Sequence, residues 1–161
     1  MKKLFVMLAA IMFCGATMVS CTKEEDKIET TNTTSTDVNP ADLVGTWGGT
    51  YNGSTTYQGD PMTYSINWTV NLVTTSAGTI SAVVNTPGYT PESTTVGYII
   101  TGVRPRQNTD YVIFDVRRDG AILDDTFEML YNKNAKTLKG SMRLYYQADL
   151  EIGGETTLSR R

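Results

Sequence analysis

From residue 62 to 73 the chain alternates without a break. Tyr64, Ile66, Trp68, Val70 and Leu72 fall on one face, and Ser65, Asn67, Thr69 and Asn71 on the other. A period of two over this length predicts a strand with one buried and one wetted face. The pattern recurs down the chain. Residues 44–51 open the series, with Gly45, Gly48 and Gly49 marking bends or close backbone approach. Residues 79–85 align Ile80, Ala82 and Val84, and 94–103 align Val96, Tyr98 and Ile100 against Ile99. Residues 111–118 align Val112, Phe114 and Val116, and 121–131 align Phe127, Met129 and Tyr131. Residues 136–146 align Leu138, Gly140, Met142, Leu144 and Tyr146. Residues 150–160 form the last strand, with Gly153-Gly154 as a bulge or tight turn.

Turn chemistry separates these runs. Residues 52–61, rich in Gly, Ser, Thr and Asp, read as a loop, as do 86–92 with Pro87 and Pro91. Asp119-Gly120 reads as a two-residue hairpin, because its turn needs positive φ. Eight evenly spaced strands with no helical period predict an all-β chain. The expected fold is an eight-stranded antiparallel up-and-down barrel. A two-sheet sandwich is the alternative, since periodicity does not count sheets. An eight-stranded interior is either filled by side chains or holds one small ligand.

The first 39 residues break the pattern. Lys2-Lys3 precedes an apolar run ending at Ser20-Cys21. The run is shorter than the roughly 20 residues of a membrane span and has the layout of an export signal. Met18-Val19-Ser20-Cys21 resembles the lipobox of bacterial lipoproteins, which implies a signal peptide over 1–20 and lipidation of Cys21. The segment also reads as an ordinary secretory signal or an uncleaved anchor. Residues 22–39 are polar and bury too little to order themselves, so 21–39 is expected to be a lipidated Cys and tether, with the barrel domain over 40–161. Lys23-Glu24-Glu25-Asp26 resembles the surface-export signal of Bacteroidetes-type lipoproteins. It implies an outer-membrane location facing outward, with the periplasmic face as the alternative.

Charge and composition then narrow the chemistry. The chain carries a net charge of −3. Loss of the signal leaves 12 basic against 17 acidic residues, a charge of −5. That balance argues against nucleic acid, and attachment to a membrane is expected through lipid alone. There is no histidine, which removes His-based triads and His metal sites. Of the two cysteines, Cys14 leaves with the signal and Cys21 carries lipid, so no disulfide framework remains.

Gly45-Thr46-Trp47 at the mouth of the first strand resembles the Gly-x-Trp motif of the lipocalin and calycin superfamily. The resemblance covers residue 41 to the end. It implies a lipocalin-like barrel in which Trp47 closes one end and packs against Arg160 from the last strand. A guanidinium over an indole gains about 0.5–2 kcal/mol. The ligand pocket would then lie inside, at the end opposite Trp47, with Tyr64, Trp68, Tyr98 and Phe127 as candidate contacts. Gly97 and Ala82 are the positions expected to leave space. Avidin-like barrels are near neighbours, but their biotin sites use several tryptophans and this chain has only Trp47 and Trp68.

Catalytic groups do not converge. Asp124 and Asp125 are adjacent on a strand and point to opposite faces, and Asp115 alternates with Val112, Phe114 and Val116, so it faces outward. Lys139 and Ser141 are alternate residues on the outer face of their strand, and such a pair arises by chance. No cofactor is expected, and no enzyme activity. The surplus is in tyrosine, nine in the chain, with Tyr51, Tyr57 and Tyr89 in or beside loops. Three functions remain open: a carrier of a small apolar or amphipathic ligand, a protein–protein module or protease-inhibitor-like barrel in the envelope, and a carboxylate enzyme.

Overall fold

The computed structural model describes residues 38–118, 124–146 and 150–161. It is an eight-stranded antiparallel barrel in which each strand pairs with the next in sequence and β8 closes on β1. A short 3-10 helix, Pro40–Leu43, precedes the sheet. The strands are β1 Gly45–Tyr57, β2 Asp60–Thr74, β3 Ala77–Asn85, β4 Ser93–Pro105, β5 Tyr111–Arg118, β6 Asp124–Asn132, β7 Thr137–Tyr146 and β8 Leu150–Arg160. The signal segment, Cys21, most of the tether and the Asp119-Gly120 hairpin lie outside the described residues, as does 121–123 at the start of the sixth run. The folded domain takes in Val38, which is buried in the core, and Asn39, whose Oδ1 accepts the Ala41 N–H.

The expected loop at 52–61 is not one. β1 runs on to Tyr57 and pairs with β2 down to Tyr57↔Asp60. The turn is Gln58-Gly59, both at positive φ (52° and 95°). That is the backbone of a two-residue hairpin, whose twist matches the strands it joins. A Gly at the second position allows it, while the polar run before it remains a strand because β2 supplies its hydrogen-bonding partners.

One face of every strand is apolar and points inward. The core holds Ile66, Trp68, Val70, Ile80, Val84, Val112, Phe114, Val116, Met129, Leu138 and Met142, all essentially without exposure. The outer wall is polar and carries cross-strand ion pairs such as Arg104–Asp115 and Lys139–Glu155. A membrane-spanning barrel has the reverse arrangement. β1 and β8 are joined by few ladder pairs, Trp47↔Arg160 and Gly48↔Ser159. Bare glycine backbone seals the rest of that seam: a Cβ at Gly49 would overlap the Thr157 carbonyl.

Candidate functional site: a cleft between β6 and β7

The two ends of the barrel are built differently. At the end where β1 begins, Trp47 is fully buried and its Nε1–H donates to Leu43 O at 2.8 Å. The Arg160 guanidinium lies 5.6 Å from the Trp47 ring centre. Its two terminal nitrogens donate to Asp42 O (3.1 Å) and Val44 O (2.7 Å). Tyr131 meets Trp47 edge-on at 6.1 Å. The 3-10 helix, Trp47 and Arg160 thus form one plug, which ties the last strand to the segment before the first.

The middle of the barrel is filled. Trp68, Tyr98 and Phe127 are 0%, 5% and 3% exposed. Phe127 sits edge-on to both of the others, at 6.3 Å from Trp68 and 5.4 Å from Tyr98. Ala82 is paired with Trp68 and leaves room for the indole, not for a ligand. Gly97 alternates with the buried Val96 and Tyr98, so it faces outward and opens no interior space. Tyr64 stands apart from the other three. It packs 6.2 Å from Tyr51, and its hydroxyl accepts the Gly153 N–H at 3.1 Å. Tyr51 and Tyr57 belong to β1, not to loops.

The opening is in the wall. β6 and β7 pair from Asn132↔Thr137 to Met129↔Gly140 and no further. Beyond that point each strand keeps only its outer neighbour, β5 for one and β8 for the other. A cleft of about 790 Å³ occupies the divergence. Its floor includes Tyr98, Phe127 and Leu144, and its lips include Leu130, Lys139, Ser141, Arg143 and Tyr145. Arg118 and Asp125 also line it. Arg118 continues the inward register of Phe114 and Val116, and Asp125 that of Phe127.

Backbone direction shows which main-chain groups face the divergence. The Tyr131 N–H donates to Asp110 O, just before β5. Alternation therefore turns the main-chain groups of Leu130, Glu128 and Thr126 toward β7. Continuing the register of Leu130↔Lys139 would set Glu128 opposite Ser141 and Thr126 opposite Arg143. Side chains take over instead. The Arg143 carbonyl accepts the Tyr98 hydroxyl (3.3 Å), and the Thr126 N–H donates to Asp125 Oδ1 (2.7 Å).

Charges on the two lips are held away from the gap. Glu128 pairs with Arg106 (2.6 Å), Arg143 with Glu151 (3.0 Å) and Lys139 with Glu155 (2.8 Å). Among the described residues no ion pair crosses from β6 to β7. Burial pushes the Tyr98 phenol up to about 12; Arg118 opposes this and Asp125 adds to it. Tyr98 is therefore a neutral hydrogen-bond donor at any physiological pH. Burial also raises the Tyr64 phenol, against the Gly153 N–H that would favour its anion.

Of the four aromatics singled out from the sequence, Tyr98 and Phe127 line the cleft, Trp68 backs Phe127, and Tyr64 lies elsewhere. Arg118 was not singled out from the sequence, and Asp125 only as facing away from Asp124. Their signal was present, since both are charges in step with an inward apolar face. Among the described residues no cluster of carboxylate or cysteine side chains could hold a metal ion. Comparison with protein-family models, with curated proteins and with solved structures finds no match to this chain. What fold and site define is a closed up-and-down barrel with a packed interior and a lateral cleft.

Proposed function

We propose that this is a non-enzymatic, lipocalin-like binding protein, held at the outer membrane through lipid on Cys21 and facing outward. Its site is the β6–β7 cleft and its ligand is amphipathic. The observation that carries this reading is the cleft's composition: a buried Tyr98–Phe127–Leu144 floor under lips bearing Lys139, Arg143 and Glu128. An apolar portion of the ligand would leave water on the floor, and polar portions would stay with the lips. The filled interior supports a lateral site over an axial one. The carboxylates of Asp115, Asp124, Glu128, Glu151 and Glu155 each hold a cation on the outer wall, which supports binding over hydrolysis. The signal, the tether and the lipobox-like run support the anchor.

A reversible staple tests the site. Glu128→Cys with Ser141→Cys places two thiols next to the last paired residues. Oxidation is expected to abolish binding of a fluorescent amphiphile such as anilinonaphthalene sulfonate, and reduction to restore it. Binding that is indifferent to the staple would rule the cleft out. Labelled-palmitate incorporation that survives Cys21→Ala would rule out the anchor.

A further inference from the structure

The cleft is bordered by two strand edges, and this suggests what kind of molecule fills it. A small amphiphile needs an apolar floor and a charged lip. It does not need facing rows of main-chain donors and acceptors. Yet beyond Glu128, whose carbonyl still meets Gly140, β6 turns the backbone of Thr126 into the gap, and β7 turns that of Arg143 and Tyr145 toward it. Open strand edges are templates for another strand, and folded proteins blunt them. Among the described residues the blunting is by two removable side-chain contacts, Tyr98 Oη on the Arg143 carbonyl and Asp125 on the Thr126 N–H. Neither covers the edge with chain.

We propose that the ligand of the cleft is an extended polypeptide segment that adds as a strand between β6 and β7. The proposal rests on the cleft being the binding site and names the class of molecule it takes. The incoming backbone replaces Tyr98 at Arg143 and Asp125 at Thr126, and completes the ladder that stops at Met129↔Gly140. Because β6 and β7 are antiparallel, the segment lies parallel to one and antiparallel to the other. Alternate side chains then separate by chemistry. Inward residues meet Phe127 and Leu144 and are apolar. Outward residues stand between Thr126 on one lip and Arg143 on the other, and are polar. The occupant is a segment of alternating apolar and polar residues about five long, some 17 Å of strand. Exposed Tyr145 and Leu130 flank its outer edge.

The test uses the full-length protein in nanodiscs and a capped, dye-labelled Lys-Thr-Val-Thr-Val-Thr-Glu peptide. A second copy of the peptide carries N-methyl groups on alternate amides. Strand addition predicts binding by anisotropy, slowed hydrogen exchange in 124–130 and 139–146, and about tenfold weaker binding of the methylated peptide through two lost hydrogen bonds. Tyr98→Phe removes the competitor for the Arg143 carbonyl and is expected to tighten the unmethylated peptide several-fold. Equal binding of both peptides would overturn strand addition and leave the cleft as a site for side chains. Binding of anilinonaphthalene sulfonate with protection at the cleft, and none of either peptide, would overturn the polypeptide class and leave the amphiphile reading. Binding of no probe, with exchange unchanged at the cleft, would overturn both.

Discussion

Two tyrosine hydroxyls sit in this barrel on opposite terms. Tyr131 Oη is buried with no partner among the described residues, whereas Tyr98 Oη reaches the Arg143 carbonyl. An unsatisfied buried polar group costs about 1–3 kcal/mol. Tyr131→Phe keeps the ring against Trp47 and removes that cost, so denaturant unfolding is expected to show a gain of about 1 kcal/mol. A loss would mean that the hydroxyl has a partner. Tyr98 carries the pH dependence. Its phenol stays neutral in the fold to about pH 12, against an ordinary value of 10.0 once unfolded. The fold favours the neutral form, so this contribution is fully present below pH 10 and is lost as pH rises to about 12. Wild-type stability should fall more steeply than that of Tyr98→Phe across that window. Parallel curves would show that Tyr98 titrates as it does in water.

At the scale of elements, hairpins and seams decide the shape. The Gln58-Gly59 turn already holds positive φ at a residue that dislikes it. Asn tolerates that conformation better than Gln. Gln58→Asn is expected to raise the unfolding midpoint by an amount worth about 0.5 kcal/mol, and a lower midpoint would argue against this turn geometry. The β1–β8 and β6–β7 seams are both short in ladder pairs, but for different reasons. In the first, Gly49 and Gly154 bring backbones and Tyr51 into close contact, so no space remains. In the second, contact is held near Gly140, where a Cβ would overlap the Glu128 carbonyl, and the strands then diverge into the cleft.

At the scale of the molecule, the plugged end and the split wall are separate. Trp47 joins the 3-10 helix, β1, Tyr131 and Arg160, and its removal leaves a large cavity where the barrel closes. Trp47→Ala is expected to lower unfolding stability by about 3–5 kcal/mol, a large part of the 5–15 kcal/mol typical of a domain. Amphiphile binding should persist in whatever remains folded, because the cleft opens toward the far end. Lost binding at unchanged stability would make Trp47 a ligand contact. Among the described residues the six ion pairs, five on the outer wall and Lys133–Asp42 at the plugged end, are largely solvent-exposed and add little to this balance.

The sequence by itself determined the strands and which way their side chains face. Strict alternation in β2, β5 and β7 leaves one solution, because a slip of one residue would put every apolar side chain in water. The barrel's eight strands and the inward position of Tyr64, Trp68, Tyr98 and Phe127 follow from that pattern. The β1–β2 hairpin was not legible, since Gln-Gly is a weak turn signal and a polar run becomes a strand only when a neighbour pairs with it. Closure into a barrel, and not a sandwich, was decided by tertiary structure. So were the filled interior and the opening between β6 and β7. Alternation says which face a residue takes, but not how far two neighbouring strands stay together. That depends on where backbones can approach, as at Gly49 and Gly140, and on which side chains take over the ladder's hydrogen bonds, as Tyr98 and Asp125 do.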